Sequence, residues 1–226
     1  MGDHQHSDLD FHSKKYTERK TKMNSFVVTG IGTEVGKTVV SAVLCEALKA
    51  DYWKPIQAGD LNALDSDFVR SYTSQTSVLP ANILLNHALS PHEAARLDGI
   101  ELTEDQFDLP RFSKQTIIEG AGGVMVPLND EGLCYIDLFQ LWELPVYVVT
   151  KHYLGSINHT LLTLNALMSR EIPIAGLIVN GERNEASERI YQSHFSDLQI
   201  TTIPELNEFS KESIQHAAKL WIEQQA

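Results

Sequence analysis

Phe26-Val-Val-Thr-Gly-Ile-Gly-Thr-Glu-Val-Gly-Lys-Thr38 is the stretch that decides the fold. Its first four residues are aromatic or β-branched, the make-up of a buried strand. Glycines at 30 and 32 interrupt that strand, and from Gly36 to Ala50 the residues read as a helix. A strand, a glycine-rich turn and a helix form an anion site, because free N–H groups and the helix dipole point at the turn. The backbone from Glu34 through Val35, Gly36, Lys37, Thr38 and Val39 is therefore the expected phosphate cradle. In it, Lys37 reaches the β- and γ-phosphates and Thr38 offers a hydroxyl to Mg²⁺. The strict form of this pattern has glycine where Ile31 stands, so the loop is a variant.

Working outward, Asp51–Ile56, 116–119, 145–150, 174–180 and 200–203 read as strands. Segments 65–73, 91–97, 156–170, 184–195 and 210–224 read as helices. Alternating strands and helices predict an α/β fold with a doubly wound, mostly parallel sheet covered by helices on both faces, of P-loop NTPase type. The 226 residues suffice for one such domain over 23–226. Residues 1–22 are polar, carry His4, His6 and His12, and lack apolar periodicity; a disordered or appended extension is expected there. A net charge of −12 argues against nucleic acid or anionic membranes as partners. Two cysteines without metal or CxxC spacing, and no long apolar run, predict reduced thiols and a cytoplasmic protein.

Three further groups of residues carry chemistry. Asp65-Ser66-Asp67 opens a helix; acids there are usually caps, yet Asp67 is the expected partner of Thr38 on Mg²⁺. Glu119 ends an apolar strand just before Gly120, Ala121, Gly122 and Gly123, where open α/β sheets gather ligands. Burying that charge is expensive without a compensating cation. Lys54 precedes Pro55 at another strand end, placed to neutralise charge that develops during phosphoryl transfer.

Together these segments resemble the dethiobiotin synthetase family. The resemblance runs through residues 24–206 and takes in TEVGKT (33–38), Lys54-Pro55, Ser66-Asp67, Ser90-Pro91-His92, EGAGG (119–123), Leu154-Gly-Ser-Ile-Asn-His159, Val179-Asn180 and Ile203-Pro204. It implies that 7,8-diaminononanoate, CO₂ and ATP are converted to dethiobiotin. A carbamate attacks the γ-phosphate, and the second amine closes the ring on the resulting anhydride. By the same resemblance Thr38, Asp67 and Glu119 hold Mg²⁺, and Lys37 bridges phosphate and carbamate. Lys54 steadies the carbamate, while Thr33 and Glu34 lie beside the reacting groups. Asn180, Gly181, Pro204, Glu205 and Leu206 border the adenine. Gly155, Ser156, Ile157 and Asn158 receive the substrate carboxylate at a site completed across a homodimer. Gly32 and Ala58 stand where many members have Asp and Ser.

Two rival readings are weaker. A partitioning or division-site switch ATPase usually has an additional lysine early in the loop, and residues 30–34 contain none. A cobyrinate-type amidoligase normally couples to a glutaminase domain, for which the chain is too short.

Overall fold

The computed structural model describes residues 25–225; the expected extension over 1–22, with its histidines, lies outside the described residues. Strands run in the order β1 (Phe26–Gly30), β2 (Asp51–Trp53), β3 (Ile56–Ala58), β4 (Ile83–Leu85), β5 (Thr116–Gly123), β6 (Val146–Thr150), β7 (Ile174–Asn180) and β8 (Ile200–Ile203). Helices are α1 (Lys37–Leu48), α2 (Asp65–Tyr72), α3 (Pro91–Asp98), α4 (Tyr135–Trp142), α5 (Ser156–Ser169), α6 (Glu185–His194) and α7 (Lys211–Glu223). A 3₁₀ turn covers Glu104–Phe107.

Six strands form a sheet ordered β2-β5-β1-β6-β7-β8, with every pairing parallel. Parallel strands must be buried on both faces, which is why Val27-Val28, Ile117-Ile118 and Val148-Val149 are continuous apolar runs. One face packs under α1 and α7 through Val40, Leu44, Ile214 and Trp221. The other is covered by α4, α5 and α6 through Phe139, Trp142, Leu164 and Tyr191. Each large side chain buried this way contributes about 1.5–3 kcal/mol.

The expected strand 51–56 is two strands. Pro55 has no N–H to give a ladder, so the chain leaves the main sheet after Trp53. It pairs as β3 with β4 in a small separate sheet. This departure turns Lys54 inward at the carboxyl edge of β2, where its side chain is buried. The helix over Tyr135–Trp142 was not expected; it begins at Cys134, whose N–H donates to Asp137 at 2.8 Å. Both cysteines are free thiols, as expected. Among the described residues no helix is long and apolar enough to cross a membrane.

Candidate active site

The site is built where β1, β2 and β5 end beneath the first turn of α1. The loop after β1 closes on Gly36, whose φ of 89° lies in the left-handed region. A Cβ on Gly36 would come within 1.9 Å of Asn180 Nδ2, so glycine is required there for space as well as for backbone angle. Asn180, at the end of β7, donates from Nδ2 to the Val35 carbonyl at 3.0 Å. The expected adenine neighbour thus also pins the phosphate loop. A Cβ at Gly32 meets nothing within 4 Å, so this departure from the family pattern leaves open space.

Lys37 opens α1, and its ammonium donates to the Gly32 carbonyl at 2.9 Å. Burial, with repulsion from Lys54, draws its pKa below the usual lysine value against the pull of Glu119 and Asp65. The next residue, Thr38, places its hydroxyl 2.9 Å from Glu119 Oε1 and 3.0 Å from Asp65 Oδ1. Lys54 donates to Asp65 and, at 3.2 Å, to Glu119 Oε1. Burial disfavours its charge, but Glu119 and Asp65 outweigh that and hold the ammonium protonated well above the ordinary lysine range. Glu119 is fully buried. Its other oxygen accepts from Tyr52 Oη at 2.9 Å. Burial, and after it the charge of Glu119, push the Tyr52 phenol far above its usual ionisation.

These groups fit a hard cation. A hydroxyl carries one proton, yet Thr38 stands within hydrogen-bond distance of two carboxylate oxygens and can donate to only one of them. One hydroxyl and two carboxylate oxygens meeting there are the kind of hard oxygen ligands Mg²⁺ takes. Among the described residues there is no cluster of three His, Cys, Asp or Glu side chains that would form an all-protein metal cage. Mg²⁺ does not require one; it is usually held by one or two carboxylates together with substrate phosphates and water.

The structure corrects one expected position. The acid beside Thr38 is Asp65, not Asp67. Asp67 is half-exposed and paired with Arg70, three residues on along α2. Residues two apart on a helix point in nearly opposite directions, so only one of the two acids can face the site.

Thr33, Glu34, Lys37, Thr38, Lys54 and Glu119 share one cavity of about 660 Å³, within the usual size range of ligand sites. Val39, Ala121 and Gly122 complete part of its wall, as do Ala58, Ser90 and Pro91. Gln57 also lines it, while donating to the Gly59 carbonyl at 3.2 Å. Val35 is buried beneath the loop, and Gly120 lies against Phe139. Gly181, Pro204 and Glu205 line a separate cleft of about 530 Å³, and Leu206 packs against the core under α1 and α7. Gly155, Ser156, Ile157 and Asn158 start α5 but are not on the wall of the central cavity. Asp65, which faces Thr38, and Tyr52, which bonds Glu119 from beneath, were not singled out in reading the sequence.

Comparison with known proteins adds two kinds of finding. A family model described as an AAA domain matches residues 24–213. The ATP-dependent dethiobiotin synthetase BioD of Brucella ovis is 43% identical over 198 residues, covering 86% of this chain and 93% of that protein. Its counterpart in Brucella abortus is 42% identical with the same coverage. Among solved structures, a putative plasmid partition protein of Borrelia burgdorferi bound to AMPPNP aligns with a TM-score of 0.54 at 10% identity, over 90% of this chain and 99% of that one. The cell division ATPase MinD of Pyrococcus furiosus aligns at 0.52 and 15%, over 90% and 100%. At such identities the structural likeness concerns the fold alone.

Proposed function

The chain belongs to the ATP-dependent dethiobiotin synthetase family, and from that premise we propose how its residues carry the reaction. The enzyme uses ATP to join CO₂ and the two amines of 7,8-diaminononanoate into the cyclic urea of dethiobiotin, a step of biotin biosynthesis. The observation that carries the assignment of residues is the meeting of Lys37, Thr38, Lys54, Asp65 and Glu119 at one cavity.

The chemistry needs no protein nucleophile. The carbamate oxygen attacks the γ-phosphorus, ADP leaves, and the second amine displaces phosphate from the carbonyl carbon. Catalysis therefore consists of holding the reactants in line and neutralising charge. Lys37 exchanges the Gly32 carbonyl for phosphate oxygens once they arrive. Lys54 keeps its proton, and Asp65 and Glu119 anchor it, so it can present a fixed ammonium to the carbamate. Thr33 and Glu34, on the cavity wall, border the reacting groups. When bound, Mg²⁺ neutralises charge on the phosphate oxygens; Thr38, Asp65 and Glu119 are the residues that would hold it. Asn180 and the cleft at Gly181, Pro204 and Glu205 are assigned to the adenine.

The choice between the two acids of α2 is directly testable. Asp65→Asn is expected to raise the Mg²⁺ concentration for half-maximal turnover about 10-fold or more, since a charge-assisted contact is lost. Asp67→Asn should shift it less than 2-fold. The reverse pattern in a Mg²⁺ titration would return the role to Asp67.

We assign the start of α5 to the substrate carboxylate, with a second copy of the chain completing the site. Support comes from the helix N-terminus itself, from the exposed apolar side chains just before it, Tyr153 and Leu154, and from Leu162 further along the helix. Sedimentation is expected to give a dimer, and Leu154→Asp to shift it toward monomer. A wild-type monomer at micromolar concentration would contradict the assignment.

The overall reading is tested by measuring phosphate release and product mass together. Phosphate should appear only with diamine and CO₂ present, one per dethiobiotin formed. ATP hydrolysis indifferent to both would indicate a switch ATPase instead.

A further inference from the structure

Glu119 is the one fully buried carboxylate of the site, and its two oxygens have divided tasks. Oε1 faces the cavity, 2.9 Å from the Thr38 hydroxyl and 3.2 Å from the Lys54 ammonium. Oε2 faces away from it and accepts only from Tyr52 Oη, at 2.9 Å, among the described contacts. Tyr52 is itself fully buried in the core beneath α1 and does not line the cavity. The register explains the meeting. Tyr52 of β2 stands opposite Ile117 of β5, and Glu119 follows two residues on, its side chain on the same face of the sheet. A phenol reaching forward along that face ends at the far oxygen of the carboxylate.

A buried carboxylate needs a donor for each oxygen. Without Tyr52, Oε2 would have none, and rotation about the last side-chain bond would let it compete with Oε1 for Thr38 and Lys54. We propose that Tyr52 is a positioning residue: its hydroxyl fixes the rotation of Glu119 so that Oε1 alone is presented to the magnesium–nucleotide site. The inference rests on the assignment of Glu119 to Mg²⁺ made above and assigns its orientation to a residue that never touches substrate.

The test is Tyr52→Phe, which deletes one oxygen and keeps the ring. Binding of ADP is measured by calorimetry with and without Mg²⁺. The variant is expected to bind Mg²⁺–ADP about 10-fold more weakly than wild type, the size of a lost hydrogen bond to a charged group, and metal-free ADP equally well. A double-mutant cycle adds a second criterion. In a Glu119→Gln background, adding Tyr52→Phe should change Mg²⁺-dependent binding less than 2-fold, because the phenol acts through the carboxylate. Equal losses with and without Mg²⁺, or Mg²⁺–ADP binding unchanged beside a lowered melting temperature, would make Tyr52 a packing residue and overturn the proposal. Wild-type binding that ignores Mg²⁺ would instead remove the metal assignment on which it rests.

Discussion

Lys54→Met is expected to slow ring closure about 100- to 1,000-fold while leaving ADP affinity within a few-fold of wild type. That range is what loss of one preorganised charge at a developing anion costs. Lys54 is buried and held by two carboxylates, so its ammonium is already fixed in place. The same substitution should destabilise the free protein. Removing the cation leaves the buried Glu119 and the nearby Asp65 with no ammonium between them, and breaking a buried pair in this way costs about 3–5 kcal/mol. Denaturant melts should show that loss, and Mg²⁺ should recover part of it by taking over as counter-ion. A Lys54→Met enzyme that turns over at the wild-type rate would reduce the lysine to a structural counter-charge.

Glu119→Gln is expected to give the opposite combination. The amide fills the same volume, Tyr52 keeps an acceptor, and Lys54 keeps Asp65. Folding stability should therefore change by no more than about 1 kcal/mol. Turnover should fall about 100-fold, with a Mg²⁺ requirement raised at least as much as in Asp65→Asn, because the neutral amide attracts the ion far less. Single-turnover rates over a Mg²⁺ series would measure both effects. A variant with normal Mg²⁺ dependence would show that Glu119 serves only to balance Lys54. Contrasting the two substitutions separates charge that supports the fold from charge that supports the reaction.

Much of this arrangement was legible in the sequence, for reasons that differ by element. The apolar runs of β6 and β7 were readable because a parallel strand buried on both faces leaves no ambiguity of period, and the turn Gly30–Gly36 by its glycines. Lys37, Thr38 and Lys54 were readable because each follows a strand or opens a helix where ligands collect; Glu119 was expected to end its strand, which instead runs on to Gly123. The order of strands was not, since nothing local says that β5 inserts between β2 and β1. The split at Pro55 carried a signal, the missing N–H, that the single expected strand passed over.

That Asp65 and not Asp67 lies beside Thr38 has a specific physical reason. Two acids in one helical turn are equivalent in composition, and only the phase of the helix distinguishes them. Val69 is the buried residue of α2, and Asp65 lies four positions before it on the same face. That phase favours Asp65. The start of α5 is a different case, since residues 155–158 lie off the cavity wall of this chain.

In the proposed reaction the carbamate itself takes the γ-phosphoryl group at this cluster. Starting from CO₂ labelled with ¹⁸O, and quenching before exchange with water, one labelled oxygen should appear in the released phosphate and one in the urea carbonyl of the product. Phosphate free of label, formed alongside labelled dethiobiotin, would contradict it.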